Sequence, residues 1–289
     1  MSNYICPKCC VLTILYNPDN KCIKNILSYS RFFKKCFVID NSANNNSYLF
    51  ESINNVVYFP NNKNLGIAAA LNIGCSVALD EGFEWCMTMD QDSSWTPDYL
   101  EMYLTSFLDM KNHYSNIKSF APTPLIERSY LGKLKIIIKN FIRRNKDIPV
   151  YSYCDKVICS GNIINLESWK TINGFEEKLF IDEVDFDFCF RLRENGYEIV
   201  KYNTIFFSHV LGAEKKQILF SKDTHSSSRL FYIFRNRFYI IKKHPDFAHK
   251  YSYRKGIIKL FIHKCIFDIS FLSNLKAYSK AKRDYSLYD

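Results

Sequence analysis

Within the first 125 residues, four short apolar runs end abruptly and are separated by stretches of helical character. Residues 9–16 (CCVLTILY), 36–40 (CFVID), 56–59 (VVYF) and 85–90 (WCMTMD) read as buried strands. Asn17-Pro18-Asp19 turns the chain after the first run and caps a helix near 20–30, and Pro97 starts another at its first turn. Between them, 67–79 places Ile67, Ala70, Leu71, Ile73, Gly74, Val77 and Ala78 at helical spacing with small side chains. Strands alternating with helices predict an α/β domain around a mixed, mainly parallel sheet flanked by helices, with ligands gathering at the carboxyl ends of the strands.

Later segments are less regular. Residues 156–166 read as strand, 182–195 as an acidic and then amphipathic helix stopping at Gly196, and 198–208 as one or two strands. Residues 229–243 and 251–282 read as two helices rich in Phe, Tyr, Ile, Lys and Arg. The division expected is 1–221 for the α/β unit and 222–289 for a C-terminal helical region.

Charge follows this division. The net +10 of the 289-residue chain lies in residues 222–289, with 15 Lys and Arg against 5 Asp, while 1–221 is neutral. A basic, aromatic tail suits an anionic surface, a phospholipid leaflet or a nucleic acid. No recognised nucleic-acid motif accompanies the basic residues, which argues against that partner. Residues 133–146 and 222–282 alternate basic with apolar side chains as an interfacial helix does, with a homodimer interface and plain intramolecular packing as rivals. No run reaches the roughly 18 to 20 apolar residues that a span requires. Eleven cysteines, odd in number, irregularly spaced and without a signal-peptide pattern before them, are expected as reduced core thiols of a cytosolic protein. Cys6-Pro7-Lys8-Cys9-Cys10 resembles half a zinc site, but no second pair follows at finger spacing.

The chemistry-bearing residues sit at predicted strand ends. Asp90-Gln91-Asp92 offers two carboxylates that can turn toward one point, hard oxygen ligands suited to Mg²⁺ or Mn²⁺ on a diphosphate. Alone, such a triplet is equally an ordinary strand-to-loop turn. Asp40 ends an earlier strand, placed to accept hydrogen bonds from a base or ribose. Asn64 and Gly66 precede a helix whose small first turn lets a ligand approach its free N–H groups. Ser160-Gly161-Asn162 forms a small polar turn, a floor for an acceptor or sugar, and Trp95 follows Asp92 closely enough to touch a donor. Asp182, Glu183, Asp185 and Asp187 crowd a helix start, which is also a common N-terminal charge pattern.

In combination and order, VLTILYNPD, FVIDNS, NKNLGIAAALNIG, MTMDQDS, SGNIINLESWKTINGFEEKLFIDEVDFDFCFRLRENGY, SHVLG and FYIFRNRFYIIKK resemble the GT-A-fold glycosyltransferases of family 2, and among these the bacterial rhamnosyltransferases. The resemblance spans roughly residues 9–243. It implies a nucleotide pocket lined by Tyr16, Asp40, Asn64 and Gly66, with Asp90 near the ribose. It implies a divalent metal on Asp92 and His209, and Asp185 as general base. Val184 stands where the family has the first acid of a Glu-Asp pair, so Asp182 and Asp187 are alternates to Asp185. The implied reaction is inverting transfer from dTDP-L-rhamnose to a lipid-linked saccharide of a surface polysaccharide such as O-antigen or capsule, by an enzyme peripheral on the inner face of the bacterial cell membrane. A UDP-sugar (galactose, glucose or GlcNAc) is the alternative donor.

Overall fold

A computed structural model describes residues 5–126, 149–209, 226–266, 268 and 270–285. The basic segment expected at 133–146 lies outside the described residues, as does the 221/222 boundary.

The first strands form as the apolar runs predict. β1 (Cys9–Leu15), β2 (Cys36–Asp40), β3 (Val56–Pro60) and β4 (Trp85–Asp90) pair in parallel in the order β3-β2-β1-β4. Alternation along β1 sends Cys10, Leu12 and Ile14 to one face and Cys9, Val11 and Leu15 to the other, and both faces are buried. This is why β1 is apolar throughout instead of alternating with polar residues. α1 (Asn20–Ser30) and α3 (Pro97–His113) cover one face, α2 (Ile67–Asp80) the other. Asp19 caps α1 by accepting from the Lys21 and Cys22 amides, both at 2.9 Å.

Beyond β4 the sheet changes direction. β5 (Ser93–Ser94), β6 (Ile117–Ile126), β7 (Tyr151–Tyr153), β8 (Asn162–Asn165) and β9 (Glu198–His209) continue it as β4-β8-β6-β9-β5, with β7 also on β9. β8 is antiparallel to β4 and β6, whereas β6 and β9 are parallel. Sequence reading missed β6. It also extended β8 too far in both directions: residues 156–161 are loop, and at Leu166 the chain enters α4 (Leu166–Thr171), capped by Asn165 on the Ser168 amide. The region 198–208 is one long strand whose register shifts against β6.

α5 (Val184–Glu194) carries the acidic start, and α6 (Ser227–Lys243) packs beside it. Tyr239 and Ile240 of α6 join the core beneath the sheet, while Leu230 and Phe234 join a smaller apolar cluster with the C-terminal helices. α6 therefore belongs to both parts of the expected division. α7 (Pro245–Lys250) follows, and the single helix expected over 251–282 is broken into α8 (Tyr253–Phe261), a π turn (Ile262–Ile266) and α9 (Phe271–Asp284). The break falls where the Asp268 carboxylate accepts from the Ser270 amide at 3.0 Å, a local bond that competes with helix propagation. All eleven cysteines are free, and nine are buried.

Packing between α2 and β1 leaves no room at Gly74, where an added Cβ would lie 2.2 Å from Leu12 Cδ1. Gly74→Ala is expected to destabilise the fold by about 1–3 kcal/mol, the usual scale of overpacking. An unchanged urea midpoint would contradict so close a contact.

Candidate active site

At the carboxyl edge of the parallel strands, Leu15 is in register with Asp40 and Ile14 with Asp90, so the ends of three strands reach a common level. Gln91 ties two of them together: its side chain accepts from the Tyr16 amide at 2.7 Å and donates to the Tyr16 carbonyl at 3.1 Å. The chain then turns back as β5, whose pairing with β9 sets Ser93 opposite His209. That register brings together residues far apart in sequence. Asp92 Oδ1 lies 3.3 Å from His209 Nδ1, and Asp90, Asp92 and His209 hold ligand atoms all within 4.8 Å of one another.

A chain of hydroxyls supports this cluster. The Asp90 amide donates to Ser160 Oγ (3.2 Å), Ser160 Oγ donates to Ser93 Oγ (2.7 Å), and Ser93 Oγ lies 2.7 Å from His209 Nδ1. Burial pushes the Asp90 carboxyl up to about 6, with Asp92 adding repulsion and His209 opposing it. Asp92 is raised as well, again mainly by burial, with His209 lowering it. Two crowded carboxylates with an imidazole form a donor set that fits a divalent cation, whose charge would relieve their repulsion.

A second group of acids enters the same cleft from the loop before α5. Phe180, Asp182 and Glu183 all have left-handed backbone, at φ +64°, +64° and +63°. Three such non-glycine residues are strained and must be held from outside. α6 does so. Asn236 Nδ2, fully buried, donates to the carbonyls of Leu179, Ile181 and Asp182 at 2.7–2.9 Å. Arg235 donates to the Lys178 and Leu179 carbonyls, and Arg237 Nε to Glu183 Oε1 at 3.2 Å. Tyr253 of α8 donates to Glu183 Oε2 at 2.6 Å, and the Phe180 ring stacks on Tyr232. From the opposite side, the Ile67 amide donates to the Phe180 carbonyl at 2.6 Å. This contact explains Gly66: at φ +84° its added Cβ would lie 2.5 Å from the Phe180 ring.

The clamped loop delivers Asp185 into the cleft. Burial raises its carboxyl to about 7, helped by the negative charges of Glu183 and Asp90 and opposed by the Phe186 amide. Nearby, the Lys156 ammonium sits among the rings of Tyr251, Phe186 and Tyr253, at 4.0, 4.5 and 5.3 Å from their centroids.

Tyr16, Asn64, Gly66, Asp90, Asp92, Asp182, Asp185 and His209 therefore line one cleft of about 680 Å³. Six expected residues do not line it. Asp40 is wholly buried, its carboxylate accepting from Ser42, Asn46 and Tyr58, so it shapes the loop that presents Asn41 to the cleft. Trp95 is 5% exposed and stacked between Tyr103 and Phe207, which makes it core instead of a sugar platform. Ser160 acts through the hydroxyl chain described above. Gly161, at φ +81°, donates its amide to the Thr88 carbonyl, and Asn162 accepts from Ser119 Oγ at 2.7 Å, so this turn fastens strands together. Among the alternate bases, Asp187 is sealed at 0% exposure between Arg191 and His244, and Asp182 is engaged by Arg229 through two bonds of 3.0–3.1 Å. Sequence reading missed the cleft-facing residues of α6, Arg229, Ile233 and Arg237. Their signal was Arg235-Asn236-Arg237 inside an aromatic helix, three polar residues too close together to share one solvent face.

Because the folded chain holds the Asp185 proton more tightly than the ordinary value near 3.8 allows, its ionisation works against folding. That burden is absent below pH 3.8, grows with rising pH and is complete above about 7. Asp185→Asn should therefore raise the melting temperature at pH 8 and by less at pH 5. An equal or larger gain at pH 5 would contradict the assignment.

The family model described as "Glycosyl transferase family 2" matches residues 20–160, a span that carries Asp90 and Asp92 and stops before Asp185 and His209. The dTDP-rhamnosyl transferase RfbF of Shigella flexneri is 26% identical over 239 residues, covering 80% of this chain and 78% of that protein. Among solved structures, GalNAc-T7 with UDP, GalNAc and Mn²⁺ superposes with a TM-score of 0.56 at 12% identity over 93% of this chain. The chain spans 58% of that protein's length. S. aureus TarS 1-349 in complex with UDP-GlcNAc gives a TM-score of 0.57 at 13% identity, covering 96% of this chain and 80% of that one. These two likenesses bear on the fold, a GT-A-like arrangement of mixed sheet and flanking helices. Together with the matched segment and the relative, they indicate a glycosyltransferase that is similar to family 2.

Proposed function

We propose that this enzyme transfers L-rhamnose from dTDP-L-rhamnose, with inversion, to a hydroxyl of a lipid-linked saccharide in surface-polysaccharide synthesis. The observation carrying the chemistry is that Asp185 and the Asp90–Asp92–His209 cluster line one cleft. The donor assignment rests on likeness to a dTDP-rhamnosyl transferase over four-fifths of the chain.

Asp185 is the general base. Its carboxylate takes the proton of the acceptor hydroxyl, whose oxygen attacks the anomeric carbon as the opposite bond to the nucleoside diphosphate breaks. A carboxyl with its proton affinity near neutrality is suited to this work. Asp92 and His209 would hold Mg²⁺ or Mn²⁺, which would supply positive charge to neutralise a departing diphosphate. Asp90 lies nearer the ribose, while Tyr16, Asn64 and Gly66 border the nucleotide. No covalent enzyme intermediate is involved, so none of the free cysteines is required as a nucleophile.

The reading is tested by supplying dTDP-L-rhamnose, UDP-glucose, UDP-galactose and UDP-GlcNAc in turn, with Mn²⁺ and a lipid-linked saccharide. Rhamnosyl product is expected; turnover of a UDP-sugar instead would move the donor while keeping the chemistry. Asp92→Asn should abolish Mn²⁺-dependent dTDP binding by calorimetry, and undiminished affinity would remove Asp92 from the metal site. Asp185→Asn should keep donor binding while transfer falls by at least about a hundredfold, the scale of general-base loss. Near-normal turnover in that variant would take the role from Asp185 and leave Asp182 as the cleft-lining alternate.

A further inference from the structure

Among the described residues, twelve large apolar side chains stand exposed. Five of them, Ile258, Ile262, Ile266, Phe271 and Leu272, fall within fifteen consecutive positions of the C-terminal helices. Ile258, Ile262 and Ile266 recur every fourth residue along α8 and the π turn, which aligns them in one row. Lys255, Lys259 and His263, all exposed, form the adjacent row. The other side of this segment is occupied: Ile257 and Cys265 pack in the cluster that also holds Leu230 and Phe234 of α6. The exposed row therefore faces away from the helix that clamps the acidic loop. No helix among the described residues is long and apolar enough to cross a membrane.

We propose that this outer face is a membrane-docking surface for an anionic lipid leaflet, with the Ile258–Ile262–Ile266 row entering the acyl boundary and the adjacent lysines meeting lipid phosphates. Charge decides among the possible occupants. Residues 251–285 carry eight Lys and Arg against two Asp. A second copy of the chain could cover the isoleucines but would bring its own basic residues against these. A nucleic acid would satisfy the lysines and leave the isoleucines in water. An anionic leaflet takes both, apolar row and basic flank, as amphipathic interfacial helices do. The surface is separate from the donor cleft, so it stands whichever sugar is transferred.

The test is flotation of the full chain with vesicles of phosphatidylcholine alone or mixed with phosphatidylglycerol, at low and high salt. Binding to the anionic vesicles, weakened by salt, is the expected result. The triple variant Ile258→Ser, Ile262→Ser and Ile266→Ser should reduce partitioning by about tenfold or more, because the apolar contribution scales with buried area. Lys255→Gln with Lys259→Gln should reduce binding and flatten its salt dependence. Both variants should keep the wild-type melting temperature and transfer to a water-soluble acceptor, which separates loss of docking from loss of catalysis. Unchanged partitioning in both variants would overturn the proposal, as would equal binding to neutral and anionic vesicles. A solution dimer that the serine variant dissociates, with no vesicle binding by the native chain, would equally overturn it.

Discussion

The site depends on one buried amide. Asn236 gathers three carbonyls of the 179–183 loop and is the central support for its three left-handed non-glycine residues. Each carbonyl left buried and unpaired would cost on the order of 1–3 kcal/mol, comparable with the strain itself. Arg235 and Arg237 extend the clamp on either side, and Tyr253 reaches it from α8. The position of Asp185 is therefore determined from the C-terminal helices. The helical region reads as an appendage in the sequence, yet in the fold it forms one wall of the cleft.

A complementary constraint operates at the strand ends. Parallel register brings Asp90 level with the end of β1, and the short β5–β9 pairing carries His209 to Asp92. The Ser160–Ser93 hydroxyl chain fixes their geometry, an outer layer of support of the kind that metal sites use to orient their ligands. Three carboxyls, Asp90, Asp92 and Asp185, are held in a common cleft with proton affinities above their ordinary values. That arrangement is unfavourable in the free protein and becomes useful with a cation, a diphosphate and a proton to exchange.

Much of this was legible in the sequence because local pattern and global fold agree. The apolar runs ending at Asp40 and Asp90, the small-residue helix after Gly66 and the proline at the start of α3 each carry a local signal. The cleft residues at those strand ends follow directly. What escaped depends on long-range pairing. β6 contains two prolines and alternates weakly, so its strand character comes from its neighbours β8 and β9. Trp95, next to the acidic triplet, looked available to a sugar, but Tyr103 of the following helix and Phe207 of the distant β9 sandwich it. Asp40 looked free at a strand end, yet Tyr58 from β3 and Asn46 from the following loop occupy its carboxylate. The partners of Asn236 escaped for the same reason, since they are loop carbonyls some 55 residues away.

The central claim is that a metal-bound nucleotide and the Asp185 base share this cleft. Diffraction at the manganese absorption edge, from crystals grown with dTDP and Mn²⁺, addresses it most directly. The account predicts an anomalous peak within bonding distance of Asp92 and His209, with the diphosphate beside it and the Asp185 carboxylate facing the remaining open space. A nucleotide bound in the cleft with no peak at that cluster, or a peak at other residues, would contradict it.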